Sequence, residues 1–191
     1  LIMHPTALDG FRRMLDPIVP VTLAPQHLRV LDVGGADVNG TVHATLREAF
    51  DADVWSMSIA VLDIAEGEGV TIVGAATKEE TWARIDRDAY DLVISTETFE
   101  HVQYWMSITA FVRDALKAGG WFVGTCASTG RRPHGARGEH VPPFGEYYGN
   151  VTPDALVSVL GGVFFDGRLS VEYSREPSMP TTHDAYWRVQ K

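Results

Sequence analysis

Residues 29–40 read RVLDVGGADVNG, and this stretch decides the fold. A short apolar run ends in an acid, Asp32, and a glycine pair, Gly34 and Gly35, follows at once. Residues 40–50 can then form a helix. This order indicates a buried parallel strand, a tight glycine turn and a helix N-terminus. Glycines let a backbone approach a ligand closely, and a helix start favours anionic ligands. A strand that merely needs a tight turn is the competing interpretation.

Strand and helix patterns alternate outward from this stretch. The predicted strands cover residues 28–34, 59–64, 70–73, 91–95, 121–126, 168–173 and 185–190. The predicted helices cover residues 6–17, 40–50, 78–85 and 106–116, and one more begins at Thr152. The alternation is typical of βαβ units, so we expect an α/β, doubly wound, mostly parallel sheet with helices on both faces. A Met179–Pro180 turn should join the last two strands as an antiparallel pair.

Composition fits one α/β domain covering residues 1–191. The chain is 45% hydrophobic and 21% charged, which is an ordinary profile for a packed protein. Its formal charge of −9 weighs against binding nucleic acid through bulk electrostatics. No apolar run approaches membrane length, so no membrane association is expected. The one cysteine, Cys126, cannot form an internal disulfide and fits a reducing compartment, which predicts a cytoplasmic location. The oligomeric state is left open.

A long loop, residues 127–151, interrupts the alternation of strands and helices. It is rich in proline, glycine, histidine and arginine. A loop of this length inside a compact domain is usually functional or disordered. Its arginines, Arg131, Arg132 and Arg137, could hold an anionic or polyhydroxylated ligand. A loop that simply carries solvated charges is the alternative.

Four stretches, in this order and at these spacings, resemble the class I S-adenosylmethionine-dependent methyltransferases. They are VLDVGG (30–35), LDIAEGEGV (62–70), DLVISTETFEHV (91–102) and LKAGG (116–120). The resemblance implies a Rossmann-like, seven-stranded sheet with a reversed last strand. It also implies that S-adenosylmethionine lies across the carboxyl ends of the strands, where ligands of open α/β sheets bind.

The resemblance carries cofactor contacts over by position. The residues implied to contact the cofactor are Asp32, Gly34, Gly35, Asp63, Ile64, Ala75, Ala76, Ser95 and Glu97. Asp32 and Gly34 would face the methionine part. Asp63 would take both ribose hydroxyls, which a carboxylate can accept with its two oxygens. Ala75 and Ala76 would flank adenine, and residues 95–97 would border the transferring methyl.

Three departures from the family pattern matter. Ala36 and Val38 stand where the later glycines of the first motif would be. Asp63 follows Asp32 by 31 residues, whereas an acid that reads a ribose usually follows by about 20. We therefore place an insertion at residues 51–58. Many relatives also carry an acid at the position of Ala75, so adenine could be read by backbone alone.

The motif Glu97-x-x-Glu100-His101 could bind a hard divalent metal or transfer protons. Similar spacing supplies Mg²⁺ or Mn²⁺ ligands in the small-RNA 3′-terminal 2′-O-methyltransferases and in ubiquinone-pathway O-methyltransferases. There a further histidine follows the fifth strand, and His140 is our first choice for it, with His134 second. In the alternative interpretation, Glu100 pairs locally and His101 packs on a helix.

The sequence therefore predicts a methyltransferase that uses S-adenosylmethionine and a small-molecule acceptor. No Asn-Pro-Pro-aromatic signature of amino-group methylation is present, so oxygen is the favoured acceptor atom. A base would then be needed, and the candidates are His101, His140 and Glu97. A nicotinamide-dependent oxidoreductase would need a third glycine that Ala36 and Val38 do not supply. A non-catalytic adenosyl-binding module is the remaining alternative.

Overall fold

The computed structural model describes residues 5–19, 27–36, 42–50, 55–175 and 183–191. The strands are β1 (His27–Val33), β2 (Ser56–Asp63), β3 (Ile72–Val73), β4 (Tyr90–Thr96), β5 (Leu116–Ala127), β6 (Leu169–Arg175) and β7 (His183–Gln190). The helices are α1 (Pro5–Leu15), α2 (His43–Ala49), α3 (Glu79–Trp82), α4 (Trp105–Ala115) and α5 (Pro153–Val163). A 3-10 turn covers Phe99–His101. None of the helices in these ranges is long and apolar enough to cross a membrane.

The seven strands form one sheet in the order β3-β2-β1-β4-β5-β7-β6. All neighbours from β3 to β5 run parallel. Strand β7 is antiparallel to both β5 and β6. The prediction of a mostly parallel, seven-stranded sheet with a reversed last strand is therefore confirmed.

Helices cover both faces of the sheet. Successive side chains of a strand point to opposite faces, so a central strand contributes to both cores. In β1, Leu31 and Val33 point into the core shared with α3, α4 and α5. Leu28 and Val30 point into the opposite core, which is shared with α1 and α2. The apolar run of β1 is thus buried on both faces, as a central parallel strand requires.

Two boundaries differ from the prediction. Strand β2 already begins at Ser56, which pairs with His27, so residues 56–58 belong to the strand and not to an insertion. Strand β5 begins at Leu116, directly after α4, and runs through the glycines predicted to separate the two elements. Gly119, with φ of 80°, lies in a bulge against β4, and a bulge lets a strand continue past an irregular residue.

The other boundaries are close to those predicted, although β3 and α3 are shorter. Three predicted features fall wholly or partly outside the described residues. They are the Met179–Pro180 turn, residues 51–54 of the proposed insertion, and the first two residues of the helix at 40–50.

An aromatic stack holds the turn that follows β4. The Phe99 ring is fully buried and stacks on Trp105, at 5.0 Å between ring centroids, and on Trp187, at 4.9 Å. These contacts tie the turn to α4 and to β7. The backbone that carries Glu97, Glu100 and His101 is therefore set by core packing and not by local propensity.

Phe99→Ala should lower the free energy of unfolding by about 3–5 kcal/mol, because it leaves a cavity between two indole rings. Phe144→Ala is the matched control, since Phe144 is fully exposed and its removal should change stability by less than about 0.5 kcal/mol. Urea unfolding monitored by circular dichroism measures both. Equal losses in the two variants would contradict the packing role of Phe99.

Candidate functional site

A cavity of about 1320 Å³ opens at the carboxyl ends of the parallel strands. Residues 34–36, 62–68 and 74–77, together with Asp32, line one side, and residues 96–98, 101–104 and 131–140 line the other. The first side is built from the loops after β1, β2 and β3. The second is built from the turn after β4 and the long loop after β5. Loops at this edge of an open α/β sheet form its usual ligand site.

The glycine turn after β1 passes directly against the acid that ends the strand. Gly34 has φ of 78°, and its N–H donates to the Leu62 carbonyl at 2.7 Å. A Cβ added at Gly35 would lie 2.3 Å from the Asp32 carboxyl carbon. Only glycine therefore fits at position 35 while Asp32 keeps its place.

Asp32 is buried at the end of β1, where the cavity begins. His43, the first residue of α2, is hydrogen-bonded through Nε2 to Asp32 Oδ2 at 2.8 Å. The other oxygen, Oδ1, is buried with no hydrogen-bond partner in the described ranges. Burial raises the pKa of the Asp32 carboxyl, and His43 opposes that rise.

Asp63 presents a half-buried carboxylate to the same side of the cavity. Oδ2 accepts the Ala36 N–H at 3.2 Å, and Oδ1 accepts the Ala65 N–H at 3.1 Å. Two backbone groups thus fix the orientation of the carboxylate, and each oxygen keeps a free lone pair. Ile64 beside it is 75% exposed and lines the cavity.

The segment after β3 is held by hydrogen bonds to its backbone, and its small side chains face the cavity. Gly74 N–H donates to the Asp63 carbonyl at 2.8 Å, and Trp82 Nε1 donates to the Ala76 carbonyl at 2.7 Å. Ala75 and Ala76 both line the cavity. Ser95 does not, because it is fully buried and its hydroxyl donates to the Val33 carbonyl, which joins β4 to β1.

Glu97 lies at the end of β4 in a left-handed conformation, with φ of 50°. Such a conformation is uncommon for a residue other than glycine and is often found at functional sites. Thr125 Oγ1 donates to Oε1 at 2.9 Å, and Arg131 Nη2 lies 3.8 Å from Oε2. Burial and the charge of Asp184 outweigh Arg131 and raise the pKa of Glu97 to about 7.

A second buried ion pair stands behind Glu97. Arg131 donates through Nη1 to Asp184, a fully buried residue near the start of β7. Thr6 of α1 donates to the other oxygen of Asp184 at 2.8 Å. The first helix and the last strand therefore meet at this carboxylate, which holds Arg131 in position beside Glu97.

Glu100, His101 and His134 come together beside the second side of the cavity. Each offers one potential metal-ligand atom, and these atoms lie within 4.8 Å of one another. Glu100 Oε1 accepts the Ala127 N–H at 3.1 Å. Glu100 Oε2 and His101 Nδ1 are buried without hydrogen-bond partners in the described chain. Burial raises the pKa of Glu100 well above its usual range and lowers that of His101 to about 4.

The two candidate loop histidines have different positions. His134 belongs to the cluster with Glu100 and His101, whereas His140 lies at the cavity wall as an exposed side chain. Tyr148, near the end of the same loop, contacts the His101 and His134 rings, at 5.5 and 4.9 Å between ring centroids. Backbone hydrogen bonds within the loop, such as the one from Gly135 N–H to the Glu139 carbonyl, help to hold the loop in this conformation.

Sequence reasoning missed His43 and Asp184. A histidine at the start of a helix after a glycine turn gives only a weak signal. The signal for Asp184 is positional: an acid that begins the one reversed strand must lie at the carboxyl edge of the other strands. Cys126 is fully buried in the core, and burial raises the pKa of its thiol well above the usual value.

No protein-family model and no curated protein sequence matches the chain. Solved structures do. The Burkholderia thailandensis 1,6-didemethyltoxoflavin-N1-methyltransferase, solved with 1,6-didemethyltoxoflavin and S-adenosylhomocysteine, is 15% identical; the match covers 95% of this chain and 78% of that one, with a TM-score of 0.61. An S-adenosylmethionine-dependent methyltransferase from Mesorhizobium loti is 16% identical over 96% and 100% of the two chains, with a TM-score of 0.61.

The CurJ carbon methyltransferase is 13% identical over 94% of this chain and 53% of its own, with a TM-score of 0.62. At these identities the similarity is one of fold. The chain thus has the class I S-adenosylmethionine-dependent methyltransferase fold, in agreement with the resemblance of its motifs. The neighbours methylate nitrogen in one case and carbon in another, so the acceptor atom does not follow from the fold.

Gly35→Ala should weaken binding of S-adenosylhomocysteine by about tenfold or more, because the new Cβ displaces the Asp32 carboxylate. Gly162→Ala is the control, since a Cβ on that residue of α5 meets no atom within 4 Å. Titration calorimetry measures both. An unchanged dissociation constant for Gly35→Ala would show that the turn does not contact the ligand.

Proposed function

We propose that the chain is an enzyme that transfers a methyl group from S-adenosylmethionine to a hydroxyl group of a small acceptor. The observation that carries the proposal is one cavity with two chemically different sides. One side holds Asp32 and Asp63 beside a glycine turn, and the other holds Glu97, whose pKa is about 7. The first side suits a nucleoside joined to an amino acid, and the second suits removal of an acceptor proton.

The cofactor side fits S-adenosylmethionine group by group. Asp32 Oδ1, which has no partner in the described ranges, needs a donor, and the ammonium of the cofactor would provide one. Asp63 keeps two oriented oxygens for a ribose diol. The small side chains Ala75 and Ala76 leave room for a flat base. When bound, S-adenosylmethionine supplies an electrophilic methyl group, and the protein mainly contributes proximity and alignment.

Glu97 is the preferred base for the acceptor hydroxyl. Its carboxylate is partly ionised near neutral pH, which suits a group that must take up a proton. His101 is a weaker base, because its pKa is lowered to about 4. His140 is exposed at the cavity wall and is the second choice. The presence of a suitable base favours a hydroxyl acceptor, because a neutral amine can attack without first losing a proton.

The acceptor side also suggests the charge of the acceptor. Arg132 and Arg137 line the cavity, are exposed, and form no ion pair within the described ranges. Guanidinium groups bind carboxylates and phosphates well. We therefore infer a small, anionic or polyhydroxylated acceptor.

The buried, reduced thiol of Cys126 supports a cytoplasmic location.

Turnover should fall about tenfold per pH unit as the pH drops below about 7, because protonated Glu97 cannot accept the acceptor proton. Above that pH the rate should level off. Glu97→Gln should lose about 10²–10⁴-fold in turnover with little change in affinity for S-adenosylhomocysteine. Glu80→Gln, on the exposed face of α3, is the control.

The assay is a methyl-donor turnover screen over hydroxyl, amine and carbon acceptors, measured as S-adenosylhomocysteine release. Methylation confined to amines would contradict the oxygen proposal. Calorimetry with S-adenosylhomocysteine and NAD(H) separates the methyltransferase from an oxidoreductase. Binding of S-adenosylhomocysteine without turnover on any acceptor would favour a non-catalytic adenosyl-binding module.

A metal-assisted variant of this function is favoured by the cluster of Glu100, His101 and His134. Glu100 Oε2 and His101 Nδ1, which are buried and have no hydrogen-bond partner in the described part of the chain, fit a divalent cation such as Mg²⁺ or Mn²⁺. A lowered pKa keeps His101 neutral, as a metal ligand must be. A cation there would polarise an acceptor hydroxyl. Glu97 and His140, which the sequence pattern predicts as further ligands, lie outside this cluster.

His134→Ala should abolish Mn²⁺ binding, measured by electron paramagnetic resonance, whereas His140→Ala should retain it. Turnover should be lost in excess chelator and restored by Mn²⁺ or Mg²⁺. Full turnover in the chelator would exclude a metal role, and loss of binding in His140→Ala alone would assign the ligand to His140.

A further inference from the structure

His43, which forms a buried pair with Asp32, has no role in the transfer described above. His43 is the first residue of α2, and it reaches the acid at the end of β1 through Nε2, 2.8 Å from Oδ2. Asp32 is 2% exposed and the His43 side chain 16%, so the pair is largely withdrawn from bulk water. One oxygen of Asp32 is thereby occupied, and the other is buried beside the cavity with no hydrogen-bond partner among the residues that the structure describes.

We propose that His43 is a positioning residue of the ligand site, which keeps Asp32 ionised and turned so that Oδ1 is free for the ammonium group of an amino-acid ligand. The proposal rests on the proposed function, because the ammonium belongs to S-adenosylmethionine and to S-adenosylhomocysteine. It assigns to His43 a task that the motif residues of the glycine turn do not perform.

The charge balance around Asp32 explains why such a residue is needed. Burial acts to neutralise the carboxyl and is the largest cause of its raised pKa, and the negative charge of Asp63 on β2 acts in the same direction. Only His43 on α2 opposes them among the interactions that act on Asp32 in the described chain. A protonated carboxyl is uncharged and has fewer acceptor sites, so it would bind an ammonium less tightly.

The packing of the turn makes the orientation of the carboxylate equally important. Gly35 leaves no space for the carboxylate to rotate toward the turn, since even a Cβ would approach the carboxyl carbon to 2.3 Å. With His43 holding Oδ2 on one side and the turn closing another, Oδ1 is the oxygen that remains for a ligand. His43 thus fixes which oxygen meets the cavity.

The test is the pH dependence of S-adenosylhomocysteine binding, by calorimetry from about pH 6 to 9. His43→Ala should bind nearly as well as the wild type at the highest pH and lose affinity as the pH falls, up to about tenfold per unit below the new Asp32 pKa. His43→Gln, which can donate without charge, should lie between the two. His27→Ala, at the opposite end of β1 and exposed, is the matched control and should follow the wild type.

Two further measurements separate positioning from mere structural damage. In ligand-free protein, NMR titration of the Asp32 carboxyl carbon should show a higher pKa in His43→Ala than in the wild type. In an Asp32→Asn background, His43→Ala should have no further effect on affinity, because the two residues act as one unit. A fall in affinity that is equal at every pH, or an unchanged Asp32 pKa, would overturn the proposal. Wild-type protein that binds no S-adenosylhomocysteine would overturn the proposed function, and this inference with it.

Discussion

Carboxylates that are withdrawn from water along the carboxyl edge of the sheet constrain the rest of the structure. Asp32, Glu100 and Asp184 are buried, and Glu97 is nearly so. A buried carboxylate is costly unless a donor or a cation satisfies it. Each one is met by a group from another element: an imidazole from α2 for Asp32, a backbone N–H from β5 for Glu100, a guanidinium from the long loop for Asp184, and a hydroxyl from β5 for Glu97.

These pairings give the two sides of the cavity different character. The side near β1 and β2 presents oriented acceptors and a glycine turn, which suit the cationic and polyhydroxylated groups of a nucleoside amino acid. The side near β4 has three groups with shifted pKa values. The pKa of Glu97 is about 7, and burial favours the neutral forms of Glu100 and His101. The first side is suited to binding and the second to moving protons, as the proposed transfer to a hydroxyl would require.

Much of this arrangement was readable from local sequence. The apolar run before Asp32, its glycine pair and the strand-ending acid Asp63 carry patterns within a few residues, so their positions were predicted. The start of β2 was not, because Ser56, Met57 and Ser58 do not form an apolar run although they pair with β1. The pairings of His43 and Asp184 were not readable either, since each depends on contacts between elements that only the folded sheet brings together.

The link from Thr6 through Asp184 to Arg131 joins positions 178 residues apart, and this has a consequence for the order of assembly. A chain is synthesised from its N-terminus, and β7 is the last strand of the sheet to leave the ribosome. Domains generally fold as units, and Arg131 lacks its main counter-ion until β7 docks. The side of the cavity that contains Glu97 therefore reaches its final charge arrangement only when this last strand of the sheet is in place.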